Sequence, residues 1–226
     1  MNTDILREHE RVSPDLVRQA AAFQAAILAD VAGRRGAMHG RIAALRPRMK
    51  LAGPALTVDV RPGDNLMIHA AIAMAKPGDV LVIDGKGDRT SALMGTIMMT
   101  ACKQLGIAGV VVDGAVRDSL EIDEMDFPVF CVGTNPNGPT KNVAGRIGHP
   151  VSCGGVHVRP GDLVLADADG VVVIERERVE PLLPQARKKV AEEAARIAQI
   201  RQGATSAPWL AAALCRAGVL QEGESL

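Results

Sequence analysis

The run IAGVVVD, residues 107–113, is short, apolar and rich in β-branched side chains, the pattern of a strand buried on both faces of a parallel sheet. A parallel strand requires a crossover, and the preceding residues supply one. Ser91 to Leu105 reads as a helix with an apolar face of Leu93, Met94, Ile97, Met98 and Ala101, with Gly106 as its C-cap. Before it lie a strand, VLVID, and a Gly-rich stretch, GKGDRT. Strand, helix and strand in this spacing form a right-handed crossover, which brings the amide-rich helix start near the carboxyl end of the next strand. A Gly-Ala turn is expected there, and Arg117 and Asp118 stand just past it.

The flanking chain follows the same grammar. ALTVDV reads as a strand, RPGDN turns it into a helix over residues 65–75, and KPGD turns the chain into VLVID. The triplet Pro-Gly-Asp recurs at Pro62, Pro77 and Pro160. Proline presets the first turn residue, glycine takes a positive φ and aspartate bonds the local backbone. Turn chemistry therefore accounts for Asp79 and Asp162, while Asp64 and Asn65 read as helix caps and His69 as a packed side chain. After Asp118, SLEIDEM forms a short helix, FPVFCVG a strand, and residues 134–145 a polar loop able to close over a site. Residues 150–158 and 163–174 alternate apolar and polar side chains, with Asp169-Gly170 at a hairpin turn.

Towards the termini, residues 1–12 read as a loose arm, and Ser13 caps a helix that continues through Pro14 and Asp15 to Val31. Residues 34–50 are basic and read as a solvated connector. Residues 13–177 then form one α/β domain, followed by a helical extension over 178–226: a long charged helix to about Gln202 and a short final one.

At 226 residues and 47% hydrophobic, the chain can bury one substantial core. Lysine plus arginine equals aspartate plus glutamate at 26 each, and aromatics are 2%, so neither a basic patch nor stacking platforms point to nucleic acid. Cys102, Cys131, Cys153 and Cys215 form no CxxC pair and read as reduced thiols. No run approaches the roughly 20 apolar residues of a membrane span. The expectation is a cytoplasmic protein without a membrane or nucleic-acid partner.

The stretch GKGDRT has neither GxxxxGK followed by Ser or Thr nor GxGxxG, so it offers amides to a small anion, such as a carboxylate, rather than to a nucleotide. Arg-Asp after a strand is a salt bridge or cap in most proteins. It is also a chemical pair: the guanidinium fork can clamp a carboxylate and stabilise an enolate while Asp118 holds a cation. One carboxylate plus waters suits Mg²⁺ or Mn²⁺.

The ordered set LAGPALTV, PGDN, PGDVLVIDG, DFPVF, PVSCGGVHVRPGD and ADADGVVVI, with the spacing from glycine to Arg-Asp, resembles the RraA-like family over residues 25–203. The resemblance implies an α/β fold with stacked sheets of the β/β/α swivelling type and a long C-terminal helix. It also implies trimers or dimers of trimers with sites between subunits. The family includes metal-dependent class II pyruvate aldolases acting on 4-hydroxy-4-methyl-2-oxoglutarate or 4-carboxy-4-hydroxy-2-oxoadipate. By that resemblance Arg117 binds pyruvate and its enolate, Asp118 holds the metal, and amides of Gly95, Thr96, Ile97 and Met98 hold the substrate carboxylate. The aldolase signature has an acidic residue, twenty intervening positions and then Arg-Asp, and that acid helps orient a water acting as acid or base. Here that place is Thr96.

A second carboxylate comes from a neighbour's C-terminal helix, and Glu193 or Glu192 is its match. Threonine cannot take a proton, so oxaloacetate decarboxylation is expected to survive better than aldol cleavage. The same family holds non-catalytic regulators that bind an RNA-degrading endonuclease, which is the alternative function.

Overall fold

The structure is a computed structural model that describes residues 4–221 and Glu224; the first three residues of the expected arm lie outside it. Two compact units divide the chain, Met1–Ala186 and Arg187–Leu226.

The first unit is built on four parallel strands: β2 (Leu51–Asp59), β3 (Val80–Met94), β4 (Gly109–Val116) and β5 (Val129–Thr134), preceded in the chain by the two-residue β1 (Ala43–Ala44). Their order is β1-β5-β4-β3-β2, with β1 antiparallel to β5, and each parallel strand pairs with the next one in sequence. The crossovers are α3 (Leu66–Met74), α4 (Thr96–Gln104) and α5 (Ser119–Met125). A crossover of one hand at every step places them on one face, and α3 meets α4 as α4 meets α5. The short strand β6 (Arg146–Ile147) pairs with the end of β2. A hairpin, β7 (Val151–Cys153) and β8 (Val156–Val158), packs against β2 and β3.

The sheet continues through β9 (Leu163–Asp167) and β10 (Gly170–Ile174), the expected antiparallel hairpin, with β9 paired to the first half of β2. Helices α1 (Pro14–Ala20) and α2 (Ala25–Val31) and the start of α6 (Arg176–Arg201) bury Leu28, Leu182 and Leu183 with Leu163 and Val172 in a second apolar cluster. Every residue of β4 is buried. Fully burying each of its valines contributes roughly 1.5–3 kcal/mol, which explains why the β-branched run fixes the sheet centre.

Several boundaries differ from the sequence expectation, each for a stated competitor. Residues 91–94 are strand rather than helix, because Ala92 and Met94 pair with Ala115 and Val116. The expected Gly-Ala turn is therefore strand as well. Gly114 is closely approached there: a Cβ would lie 3.0 Å from Leu93 Cδ1. GKGDRT is not a loop ahead of a helix but a bulge inside β3, since Ile83 pairs with Val112 and Asp88 already with Gly114.

The first helix breaks between Ala20 and Ala25. Ser13 caps α1 as expected, accepting the Leu16 amide, whereas α2 has no local side-chain cap. Its first amide donates to Asp167 Oδ2 at 2.8 Å instead. The arm is docked rather than loose: Leu6 and Val12 amides bond Ile147 O and Gly161 O, and Arg11 pairs with the buried Asp79 at 3.0 Å. The basic stretch is tethered too. Arg41 pairs with the buried Asp113 at 2.8 Å, and Arg46 and Arg48 pair with Asp123. In the turns, Gly63, Gly78 and Gly161 all have positive φ, and Asp79 and Asp162 accept the amides of Lys76 and Arg159.

The second unit holds the remainder of α6 and α7 (Leu210–Arg216). Arg196 ties the connecting loop by donating to Ser206 O at 2.6 Å. Val190, Ile197 and Ile200 lie exposed along α6. No helix among the described residues is long and apolar enough to cross a membrane.

Candidate active site

Strand β4 ends at Val116, and the next two residues leave the sheet side by side. The Arg117 amide donates to Met94 O, which locks this strand end beside the end of β3. Asp118 then takes a left-handed backbone conformation, φ 61°, at the start of α5. That kink points its carboxylate at the opening turn of α4, where Oδ2 accepts the Thr96 amide at 3.0 Å. The arginine guanidinium lies 3.8 Å from the same oxygen. Both side chains remain near 40% exposed, so they can reach a ligand.

Gly95 makes this approach possible. A Cβ at that position would stand 2.5 Å from Asp118 Oδ2 and 3.0 Å from Arg117 Cγ. The first turn of α4 meanwhile has amides with no helical acceptor. Met98 N–H bonds back to Gly95 O and Thr96 N–H is taken by Asp118, so Ile97 N–H is the one that stays open toward a small anion.

A cavity of about 240 Å³ opens here, with Gly95, Ile97, Met98, Arg117 and Asp118 in its wall. Part of the wall was not read from the sequence: Asn65 just ahead of α3, His69 on α3 and Lys141 from the loop after β5. Asn65 holds the N-cap position of α3 but does not cap with its side chain: the side-chain amide donates to Leu93 O at 2.9 Å, tying the start of α3 to the end of β3, and its Oδ1 is buried without a partner. His69 is exposed rather than packed, one helical turn after Asn65 on the same face. Spacing of Asn and His by four in a helix was the available signal.

Asp64 holds the loop that carries Lys141. Its carboxylate accepts the Thr140 hydroxyl at 2.6 Å and the Asn142 amide at 2.7 Å, together with the amides of Val143 and Leu66. Burial pushes this carboxyl up, but the four hydrogen bonds outweigh it and leave Asp64 below the usual carboxylate range.

Two further expected site residues, Thr96 and Glu193, have their own local partners. Thr96 gives its amide to Asp118, but its side chain is not part of the cavity wall, and Oγ1 is buried with no hydrogen-bond partner. Glu193 belongs to the second unit, where it pairs with Lys189 at 3.4 Å, and Glu192 pairs with Lys188. The three buried thiols offer no nucleophile: Cys102, Cys131 and Cys153 are free and buried, and burial pushes Cys131 to about 11 and Cys102 to about 12.

Residues 15–173 match the RraA-like family, described as Aldolase/RraA. The chain belongs to the RraA-like family. A relative from Halalkalibacterium halodurans, provisionally named 4-hydroxy-4-methyl-2-oxoglutarate aldolase, is 43% identical over 182 residues, 80% of this chain and 87% of that protein. Among solved structures, Streptomyces coelicolor RraAS2, titled an unusual member of the RNase ES inhibitor RraA family, superposes with a TM-score of 0.77 at 31% identity. The match covers 84% of this chain and 99% of that one. The RNA-processing inhibitor RraA from Thermus thermophilis superposes at 0.62 with 30% identity, over 67% and 92%. This RraA-like chain thus resembles proteins named as an aldolase and as inhibitors of RNA processing, so the fold alone assigns neither role.

Proposed function

We propose that the protein is a divalent-metal-dependent carbon–carbon lyase that releases pyruvate from 2-oxo acids. Its reactions are retro-aldol cleavage of 4-hydroxy-4-methyl-2-oxoglutarate-type substrates and decarboxylation of oxaloacetate. The observation that carries this reading is the approach of Arg117 and Asp118 to the α4 amides across Gly95, inside a cavity with a second cation, Lys141, in its wall. Two separated cations suit a substrate with a carboxylate at each end.

Among the described residues no group of three His, Cys, Asp or Glu side chains could hold a metal ion, so a closed protein cage of the zinc type has no counterpart here. Asp118 fits a different cation. Oδ2 is committed to Thr96 N–H, and Oδ1 has no hydrogen-bond partner among the described residues, which suits Mg²⁺ or Mn²⁺ with most positions left to water and substrate. When bound, the cation supplies Lewis acidity toward the 2-oxo group. Arg117 then stabilises the enolate oxygen that develops on bond cleavage, the Ile97 amide receives the adjoining carboxylate, and Lys141 orients the distal one.

Ile97 and Leu120, 82% and 68% exposed, are apolar side chains close to this site in sequence, and their exposure supports a working oligomer, a trimer or dimer of trimers, that covers them. Purified protein given oxaloacetate or 4-hydroxy-4-methyl-2-oxoglutarate should release pyruvate in Mg²⁺ or Mn²⁺ and stop in EDTA. Absence of metal-dependent pyruvate from both substrates overturns the reading. The likeness to RNA-processing inhibitors supports a second one, a non-catalytic regulator of an RNA-degrading endonuclease. Stoichiometric recovery of such a nuclease, with no metal binding by calorimetry, selects it.

A further inference from the structure

We infer that His69 is the residue that exchanges the proton in the retro-aldol step. The inference rests on the lyase reading above. Cleaving a 4-hydroxy-2-oxo acid requires removal of the proton from the C4 hydroxyl, and few side chains of the cavity can accept it. Arg117 and Lys141 bring positive charge. Asp118 gives one oxygen to the Thr96 amide and is the carboxylate suited to a cation. Position 96 cannot serve, because an alcohol is no base at neutral pH and Thr96 Oγ1 is buried outside the cavity wall. The remaining groups in the wall, Asn65, Met98 and Ile97 among them, do not titrate.

His69 meets the requirement. It is exposed, it forms part of the wall, and no side-chain hydrogen bond ties its ring to another described residue. Its place is fixed through the backbone: the His69 amide donates to Asn65 O, and the Asn65 side chain grips Leu93 O, two residues before Gly95. The charged groups that share the cavity with the imidazole are Arg117, Asp118 and Lys141. A neutral imidazole carries one ring nitrogen that accepts a proton and one that donates, which suits a group that must take a proton and give it back.

The balance is complete without an external reagent. His69 accepts the C4 hydroxyl proton. The oxygen's electron pair forms a new carbonyl as the C3–C4 bond breaks, and the electrons of that bond pass to C3 and the C2 oxygen as the pyruvate enolate, beside Arg117. The imidazolium returns the proton to C3, giving pyruvate and a second oxo acid. Decarboxylation of oxaloacetate has no hydroxyl proton to remove and does not call on His69 for that step.

The two reactions separate the proposal from a structural role. In His69→Asn, kcat for 4-hydroxy-4-methyl-2-oxoglutarate should fall on the order of 10²–10³-fold, with KM little changed and oxaloacetate decarboxylation falling far less. In His69→Ala, added imidazole should restore part of the aldol rate. Affinity for oxalate, which carries the adjoining oxygens of the enolate, should stay near wild type in both. Equal loss of the two reactions, no loss in His69→Asn, or no rescue of His69→Ala overturns the assignment. A wild-type protein inactive on both substrates instead removes the lyase reading, and this assignment with it.

Discussion

Thr96 and Asp118, on two different crossovers, are joined by one hydrogen bond of 3.0 Å from amide to carboxylate, and that bond runs directly past the bare Cα of Gly95. A methyl group at Gly95 would intrude to 2.5 Å from Asp118 Oδ2 and push Arg117 as well. Misplacing catalytic groups by about 1 Å costs on the order of 10²-fold in rate. Gly95→Ala should therefore lose about that factor in kcat/KM for pyruvate release while retaining a cooperative thermal transition by circular dichroism.

Thr96→Val tests the side chain apart from the amide. Because Oγ1 is buried with no partner, its removal leaves nothing unsatisfied. Stability should stay within about 1 kcal/mol of wild type or rise, as read by urea denaturation. Aldol cleavage should stay within about twofold, since an unbonded hydroxyl outside the wall has no transition-state contact to lose. A large fall in kcat would show that the threonine hydroxyl reaches the substrate.

The loop bearing Lys141 should be acid-labile. The folded Asp64 carboxyl lies below its ordinary value, so its contribution is fully present above the unfolded pKa near 4 and is lost as pH falls through the folded value. Protection of the Asn142 and Val143 amides against hydrogen exchange should fall over that acid range in the wild type. In Asp64→Asn the same amides should exchange fast even at neutral pH, and KM for a dicarboxylic 2-oxo acid should rise by about tenfold, on the order of 1.4 kcal/mol.

If Glu193 completes the site of a neighbouring subunit, two inactive proteins should rescue one another. Mixing Arg117→Ala with Glu193→Ala chains, after dissociation and reassembly, should return a fraction of wild-type activity, because some interfaces then hold both intact residues. No recovery, or an active monomer by light scattering, removes Glu193 from the chemistry.

The sheet centre was legible because a β-branched run such as residues 110–112 has few alternatives, and the Pro-Gly-Asp turns were legible because in each the aspartate amide bonds a carbonyl three residues back. What could not be read were features decided by distant partners. Leu93 and Met94 suit an apolar helix face as well as a strand, and only pairing with Ala115 and Val116 settles them. Arg117 and Asp118 stood out through their neighbours in sequence. His69, Asn65 and Lys141 did not, since their place depends on Asn65 gripping Leu93 O and on Asp64 holding residues 140–143 across more than seventy positions of chain.

The cap that Asp167 places on the Ala25 amide spans 142 positions, and this orders events in time. Helix α2 has seven residues and no cap of its own, too short to persist alone in water. As the chain leaves the ribosome, α2 is made early but lacks its anchor until β9 has emerged. The four parallel strands and their crossovers close over shorter loops and can assemble first. The N-terminal helices are therefore the last part of the first unit to settle, and a chain truncated ahead of residue 167 should keep its central sheet while leaving α2 unformed.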